Sequence, residues 1–188
     1  MKTLFEIWND MPVKSDKGDV HDYLGIYERY LEPYRDTAIN ILEIGLFNGA
    51  SLLMWEQYFS GKVYGIDCDE QPHGGLADLR PLIKEGTHNI FIGDATSEDF
   101  IENSFNGIKF DVIIEDCSHD LIQQLKLYEL FKPYLNENYL YCIEDIQNID
   151  ATREVFENFF SEQKILIIDR RHVKQRFDDV LILIKDKA

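Results

Sequence analysis

From residue 39 onward, short apolar runs alternate with stretches whose apolar residues recur at helical spacing. The runs at 39–44, 62–67, 89–93, 110–116, 139–145, 164–169 and 179–185 are predicted as strands. Helices are predicted at 49–59, around 76–85, and at 97–104, 120–132 and 150–160. Strands separated by helices pair in parallel, because a parallel connection needs a crossover. The runs are apolar throughout, as a sheet covered on both faces requires. The last two arrive without a helix between them, which predicts an antiparallel hairpin at one edge. The expectation is a doubly wound, mostly parallel seven-stranded α/β sheet with an antiparallel edge strand. Before it, Tyr23, Leu24, Tyr27, Tyr30 and Leu31 share a helical face that ends near Pro33. The chain thus divides into an N-terminal helical segment, 1–38, and a core, 39–188, within a single domain.

Composition narrows the partners. Lysine and arginine number 19 against 35 aspartate and glutamate, a formal charge of -16, so the field repels phosphate backbones and anionic membranes. Neither nucleic acid nor membrane is an expected partner, and a homo-oligomer is left open. Three cysteines without CxxC spacing argue for a reducing compartment and against a disulfide framework. No run approaches the ~20 apolar residues of a membrane span, and the N-terminus lacks a signal-peptide core, so a cytoplasmic location is expected. A basic cluster, Arg170, Arg171, Lys174 and Arg176, interrupts the acidic trend, either as a solvated loop or as a site for an anionic group.

In an open parallel sheet, ligands bind beyond the carboxyl ends of the strands. The first apolar run ends in Glu43-Ile-Gly45-Leu-Phe-Asn-Gly49-Ala-Ser51, a strand, a glycine turn and a helix start of the kind that receives a nucleotide-like cofactor. The second ends in Asp67, where a carboxylate can accept both hydrogen bonds of a ribose diol. The other strand ends carry Asp94, Glu115 with Asp116, and Glu144 with Asp145. Carboxylates from neighbouring strands suit a hard divalent cation, Mg²⁺ or Mn²⁺. His119, three residues past Asp116, has a pKa suited to removing a proton from a hydroxyl activated by that cation. Asp120 reads as a helix cap.

These residues, with Asp16-Lys17, His21, Tyr23, Gly65-Ile-Asp67 and Tyr141-Cys-Ile-Glu144-Asp145, resemble the class I S-adenosylmethionine-dependent methyltransferases. Within them, the similarity is to the metal-dependent macrolide sugar O-methyltransferases of the mycinamicin and macrocin type. The resemblance implies a Rossmann-like fold and an enzyme that moves a methyl from S-adenosylmethionine to a hydroxyl of a sugar or glycoside. It puts Glu43, Gly45 and Ser51 at the methionine end of the cofactor, Asp67 on the ribose and Asp94 beside the adenine, with Gly49 and Glu115 counted on the cofactor side. It makes Asp116, Glu144 and Asp145 the metal ligands and His119, with Asp116, the catalytic pair. Lys17, His21 and Tyr23 would help close the site. Where the family often carries tryptophan after the lysine, Gly18 stands here, and Asn136-Glu-Asn138 replaces its Pro-Gly-Gly.

A nicotinamide-dependent oxidoreductase would share the strand, turn, helix and later acid. Phe47, however, stands where its second glycine must admit a pyrophosphate. The non-enzymatic rival is an S-adenosylmethionine-binding or assembly module without turnover.

Overall fold

The computed structural model describes residues 1–68 and 89–187. The helix expected around 76–85, Asp69 and the stretch 71–75 lie outside the described residues. Seven strands form one sheet in the order β3-β2-β1-β4-β5-β7-β6. In chain order they are β1 (Asn40–Ile44), β2 (Lys62–Asp67), β3 (Asn89–Ile92), β4 (Phe110–Glu115), β5 (Leu135–Ile143), β6 (Gln163–Asp169) and β7 (Val180–Asp186). The first five pair in parallel. The β6–β7 hairpin forms the far edge, with β7 antiparallel to both β5 and β6, and β6 outermost.

Side-chain parity explains why the strand sequences are continuously apolar. Ile41, Val112, Ile114, Leu140, Cys142, Leu181 and Leu183 pack in one buried layer. Their alternates Leu42, Ile44, Ile113, Tyr141, Ile143, Ile182 and Ile184 pack in the other. Over the first layer lie α1 (Leu4–Asp10), α3 (Leu24–Leu31) and α4 (Ala50–Tyr58). Over the second lie α5 (Glu98–Phe105), α6 (Leu121–Phe131) and α7 (Ile149–Phe159). The central strand residues therefore meet one of two dry layers, while the edge strands β3 and β6 and the start of β5 are partly exposed.

The N-terminal segment holds more structure than its apolar pattern predicts. Thr3 and Glu6 form a reciprocal capping box that starts α1, whose Leu4 and Ile7 are buried. A second short helix, α2 (Asp16–Asp19), is capped by Ser15. The Trp8 indole donates to the Ser15 carbonyl at 2.7 Å and lies against Gly18, where a Cβ would come within 2.3 Å of the ring. Gly18 is thus required by the fold of this segment. The start of β5 also differs from expectation, beginning four residues before the expected 139. The Asn136 amide donates to Asp111 at 2.7 Å, and the β4–β5 register shifts between Phe110 and Val112, so 136–138 form an irregular strand start. Between β6 and β7 lies one further turn of helix, α8 (Arg171–Lys174). Among the described residues no helix is long and apolar enough to cross a membrane.

Candidate functional site

The sequence order of the strands reverses on either side of β1, so β1 and β4 flank the switch point of the sheet. The ladder runs one residue past the strands. Gly45 N donates to the Ile66 carbonyl, Asp116 N to the Ile44 carbonyl and Glu144 N to the Glu115 carbonyl, at 2.8–2.9 Å. Gly45, Asp116 and Glu144 are therefore brought to one rim by backbone pairing alone. Gly45 has φ +89°, and a Cβ there would meet the Asp116 carbonyl oxygen at 2.0 Å, so only glycine lets the chain leave β1 beside β4.

Above this rim opens a cavity of about 670 Å³, within the ~300–1,000 Å³ of small-molecule sites. Its wall includes Gly45, Asp67, Asp94, Asp116, His119 and Asp145. Asp67 is buried and one of its oxygens accepts from the backbone N–H of Leu46 and Phe47, at 2.7 and 3.1 Å, which fixes the glycine turn. Asp94 is exposed at the far end, where it accepts from the Thr96 amide and hydroxyl, both at 2.8 Å. Those bonds hold its carboxyl below the ordinary range. The described residues of the wall carry several carboxylates and no lysine or arginine.

Four residues expected on the cofactor side do not reach this wall. Ser51 donates to Glu43 at 2.9 Å, and both are buried between α4 and β1. Gly49, with φ +79°, is the N-cap of α4. Glu115 shares strand parity with Ile113 and is fully buried, where Cys117 donates to it at 3.3 Å. Burial pushes its carboxyl up to about 7.

The acids nearest the switch point fall into two groups. On the cavity side, Asp116, His119 and Asp145 each place one ligating atom within 4.8 Å of the others. His119 Nε2 lies 3.2 Å from Asp116 Oδ1 and 3.9 Å from Asp145 Oδ2. His119 and Asp145 both occupy the left-handed region, at φ +55° and +52°. Both lie in the loops that follow β4 and β5 and line the cavity, in a conformation these residue types tolerate better than most. Burial works against a charged His119, but the Asp116 hydrogen bond and the charges of Asp116 and Asp145 win and raise its pKa. Burial, helped by the Asp116 charge, lifts Asp145 to about 6 despite His21 and His119 nearby. Two carboxylate oxygens at this spacing suit a hard divalent cation, with the imidazole beside it.

The second group is sealed. Lys17, 1% exposed, reaches across from α2 and places its ammonium 2.5 Å from Asp116 Oδ2, 3.0 Å from Glu144 Oε1 and 3.5 Å from Glu43 Oε1. The Tyr27 hydroxyl donates to Glu144. Burial drives Glu144 well above the usual carboxylate range and Glu43 to about 7, against the opposing Lys17 charge. Burial would also raise Asp116, but Lys17 and the His119 hydrogen bond outweigh it and hold that carboxyl below its ordinary range. The expected ligand Glu144 is therefore turned toward Lys17 and Tyr27, on the same side as Leu140 and Cys142.

Sequence reasoning missed Asp179. It is fully buried just before β7 and lies 2.8 Å from His21 Nδ1, while Tyr23 donates to Asp145 at 2.8 Å. The signal was weak, an acid opening a predicted strand more than 150 residues from its partner. The basic cluster is largely spoken for. Arg170 pairs with Asp22, Arg171 with Asp150 and Asp169, and Arg176 with Asp178 and Asp179.

No protein-family model matches the chain. It is 31% identical over 142 residues to the 8-demethyl-8-alpha-L-rhamnosyl tetracenomycin-C 2'-O-methyltransferase of Streptomyces olivaceus, covering 71% of this chain and 35% of that one. It is 35% identical over 141 residues to the L-olivosyl-oleandolide 3-O-methyltransferase of Streptomyces antibioticus, covering 70% and 34%. The chain thus spans about a third of the length of these curated relatives. Among solved structures, the MycE methyltransferase of the mycinamycin biosynthetic pathway, in complex with Mg and SAH, superposes with a TM-score of 0.72. That match has 18% identity and covers 98% of this chain and 55% of that one, a likeness of fold. On sequence and fold together, the chain is a homologue of the sugar O-methyltransferases of the mycinamicin, tetracenomycin and oleandolide type and carries the Rossmann-like methyltransferase fold.

Proposed function

We propose that this chain is the catalytic unit of an S-adenosylmethionine-dependent O-methyltransferase that acts on a sugar hydroxyl of a small-molecule glycoside. The carrying observation is the charge of the cavity. Its described wall holds Asp67, Asp94, Asp116 and Asp145 without a lysine or arginine. A sulfonium cation is drawn to such a wall, and a dinucleotide pyrophosphate is repelled by it. The names of the relatives agree with this choice, all being O-methyltransferases of sugar-bearing natural products.

S-adenosylmethionine supplies an electrophilic methyl on sulfur. Asp67, at the end of β2, would accept the hydrogen bonds of the ribose diol, and Asp94 would lie beside the adenine, a reading supported by both lining the cavity. A divalent cation, Mg²⁺ or Mn²⁺, would be held by Asp116 and Asp145, and when bound lowers the pKa of an acceptor hydroxyl. His119, hydrogen-bonded to Asp116 and made more basic by it, takes the hydroxyl proton as the methyl passes to oxygen. Tyr23 and His21 act from behind, both facing Asp145 and fixing its orientation.

Two measurements test the reading. Calorimetry should detect S-adenosylhomocysteine binding, and methyl transfer to a panel of glycosides should be lost in chelator and return with Mg²⁺ or Mn²⁺. Absence of cofactor binding refutes the reading, and chelator-insensitive transfer refutes its metal part. Cofactor binding with no transfer to any glycoside would favour the binding-module alternative.

A further inference from the structure

The sealed group and the open group share one residue. Asp116 gives Oδ2 to Lys17 at 2.5 Å and Oδ1 to His119 at 3.2 Å, so its two oxygens face two different cation positions. The inner position, among Glu43, Asp116 and Glu144, is filled by the Lys17 ammonium. An ammonium has three protons to donate, and three carboxylates surround this one. The outer position, framed by Asp116, His119 and Asp145, faces the cavity.

We propose that Lys17 is a resident counter-cation: its ammonium permanently occupies the inner position between Glu43, Asp116 and Glu144, so that a divalent ion enters only at the outer position. The inference rests on the reading of the outer group as the ion site. Three features hold the lysine in place. Its backbone carbonyl accepts from Tyr23 N at 2.7 Å and its amide donates to the Ser15 side chain at 3.3 Å, so α2 is tied at both ends. Tyr27 and Tyr23, on the next turn of chain, bond to Glu144 and Asp145 and close over the same rim. Glu43 and Glu144 are as deeply buried as the ammonium, and evicting it would leave both in a dry layer without a countercharge. Lys17 therefore acts as a positioning residue. It binds the N-terminal segment to the ends of β1, β4 and β5, and it reserves one oxygen of Asp116 for the cavity.

The test counts Mn²⁺ ions by electron paramagnetic resonance in the wild type, in Lys17→Met and in Lys17→Met/Glu43→Gln. The expected result is one ion per chain in the wild type, one additional ion in Lys17→Met, and loss of that additional ion in the double variant. A Lys17→Met protein that folds and gains no ion overturns the proposal. Should that variant fail to fold, the wild type decides. Acetylation followed by mass spectrometry should find Lys17 modified about tenfold or more slowly than exposed Lys132, because reaction requires local opening, and equally so with and without saturating Mn²⁺. Lys17 made reactive by Mn²⁺ would mean that the ion takes the place of the ammonium, and the proposal falls. A wild type that binds no Mn²⁺ beside a Lys17→Met protein that binds one would refute the outer ion site and sustain the inner one.

Discussion

The sealed and open carboxylate groups stand side by side on the same strand ends and share Asp116, yet they differ in access to the cavity, which the open group lines and Glu43, Glu144 and Lys17 do not. In the sealed group Glu43, Glu144 and Lys17 are excluded from water and bonded to one another, to Ser51 and to Tyr27. In the open group His119 is 27% exposed and Asp116 20%, and both line the cavity. A paired charge in a dry layer holds structure together, since removing either member strands the other. A half-open one retains room for a ligand. The lesson is that an acid at the end of a parallel strand has no fixed role. The layer its side chain enters assigns one.

The comparison predicts a double dissociation, and its largest effect falls on the open side. His119→Ala should lower kcat by about 10²–10⁴-fold, the usual worth of a general base. Calorimetric affinity for S-adenosylhomocysteine and the unfolding midpoint should stay close to wild type. A parallel loss of cofactor affinity or of stability would move His119 into the sealed class. On the other side, Lys17→Met should cost about 3–5 kcal/mol of stability in urea, because it breaks a buried ion pair and leaves carboxylates uncompensated. Lys17→Met/Glu144→Gln should recover part of it. Were Lys17→Met as stable as wild type, the sealed group would not be a structural unit.

The layer rule also shows how much was legible beforehand. The strands and most of the helices could be read because each apolar run must satisfy two dry faces, and that demand is local. The site residues were legible as a set, since β1, β2, β4 and β5 end in acids whose backbones must share a rim. Their division was not read, although part of it was available from parity. Glu115 follows Ile113 into the layer under α6, and Glu144 follows Leu140 and Cys142 into the layer under the N-terminal helices. What parity cannot supply is the partner. Lys17 meets Asp116 across 99 residues and His21 meets Asp179 across 158, contacts set by how α2 seats on the sheet. The helix α1 went unread because seven residues are too short for a periodic signal, and only the Thr3 to Glu6 spacing marked it.

Asp67 sharpens the contrast from a third position, buried like the sealed acids and lining the cavity like the open ones. Asp67→Asn keeps an oxygen for the Leu46 and Phe47 amides and removes the charge. It should weaken S-adenosylhomocysteine binding by about 1.5–3 kcal/mol, the worth of a hydrogen bond to a charged group, with kcat at saturating cofactor little changed. Unchanged binding would mean that the carboxylate serves only the glycine turn.

The smallest effect is expected where charges pair in water. Arg171 forks onto Asp169 through Nε and Nη2, at 2.7–3.1 Å, and onto Asp150 through both terminal nitrogens, at 2.8 and 3.0 Å. The bonds from Arg171 hold both carboxyls below the ordinary 3.8. A carboxyl with a lowered folded-state pKa contributes stability that is present above its unfolded value and lost as pH falls through the folded one. Arg171→Ala should therefore lower the thermal midpoint slightly at neutral pH, less at high salt, and not at all once the pH is well below 3.8. Methyl transfer should not change, because the guanidinium is already committed to two acids and is not free to receive an anionic acceptor. If Arg171→Ala instead slowed transfer to charged acceptors while sparing neutral ones, the open class would extend to the β6–β7 hairpin, and its basic residues would belong to the binding surface.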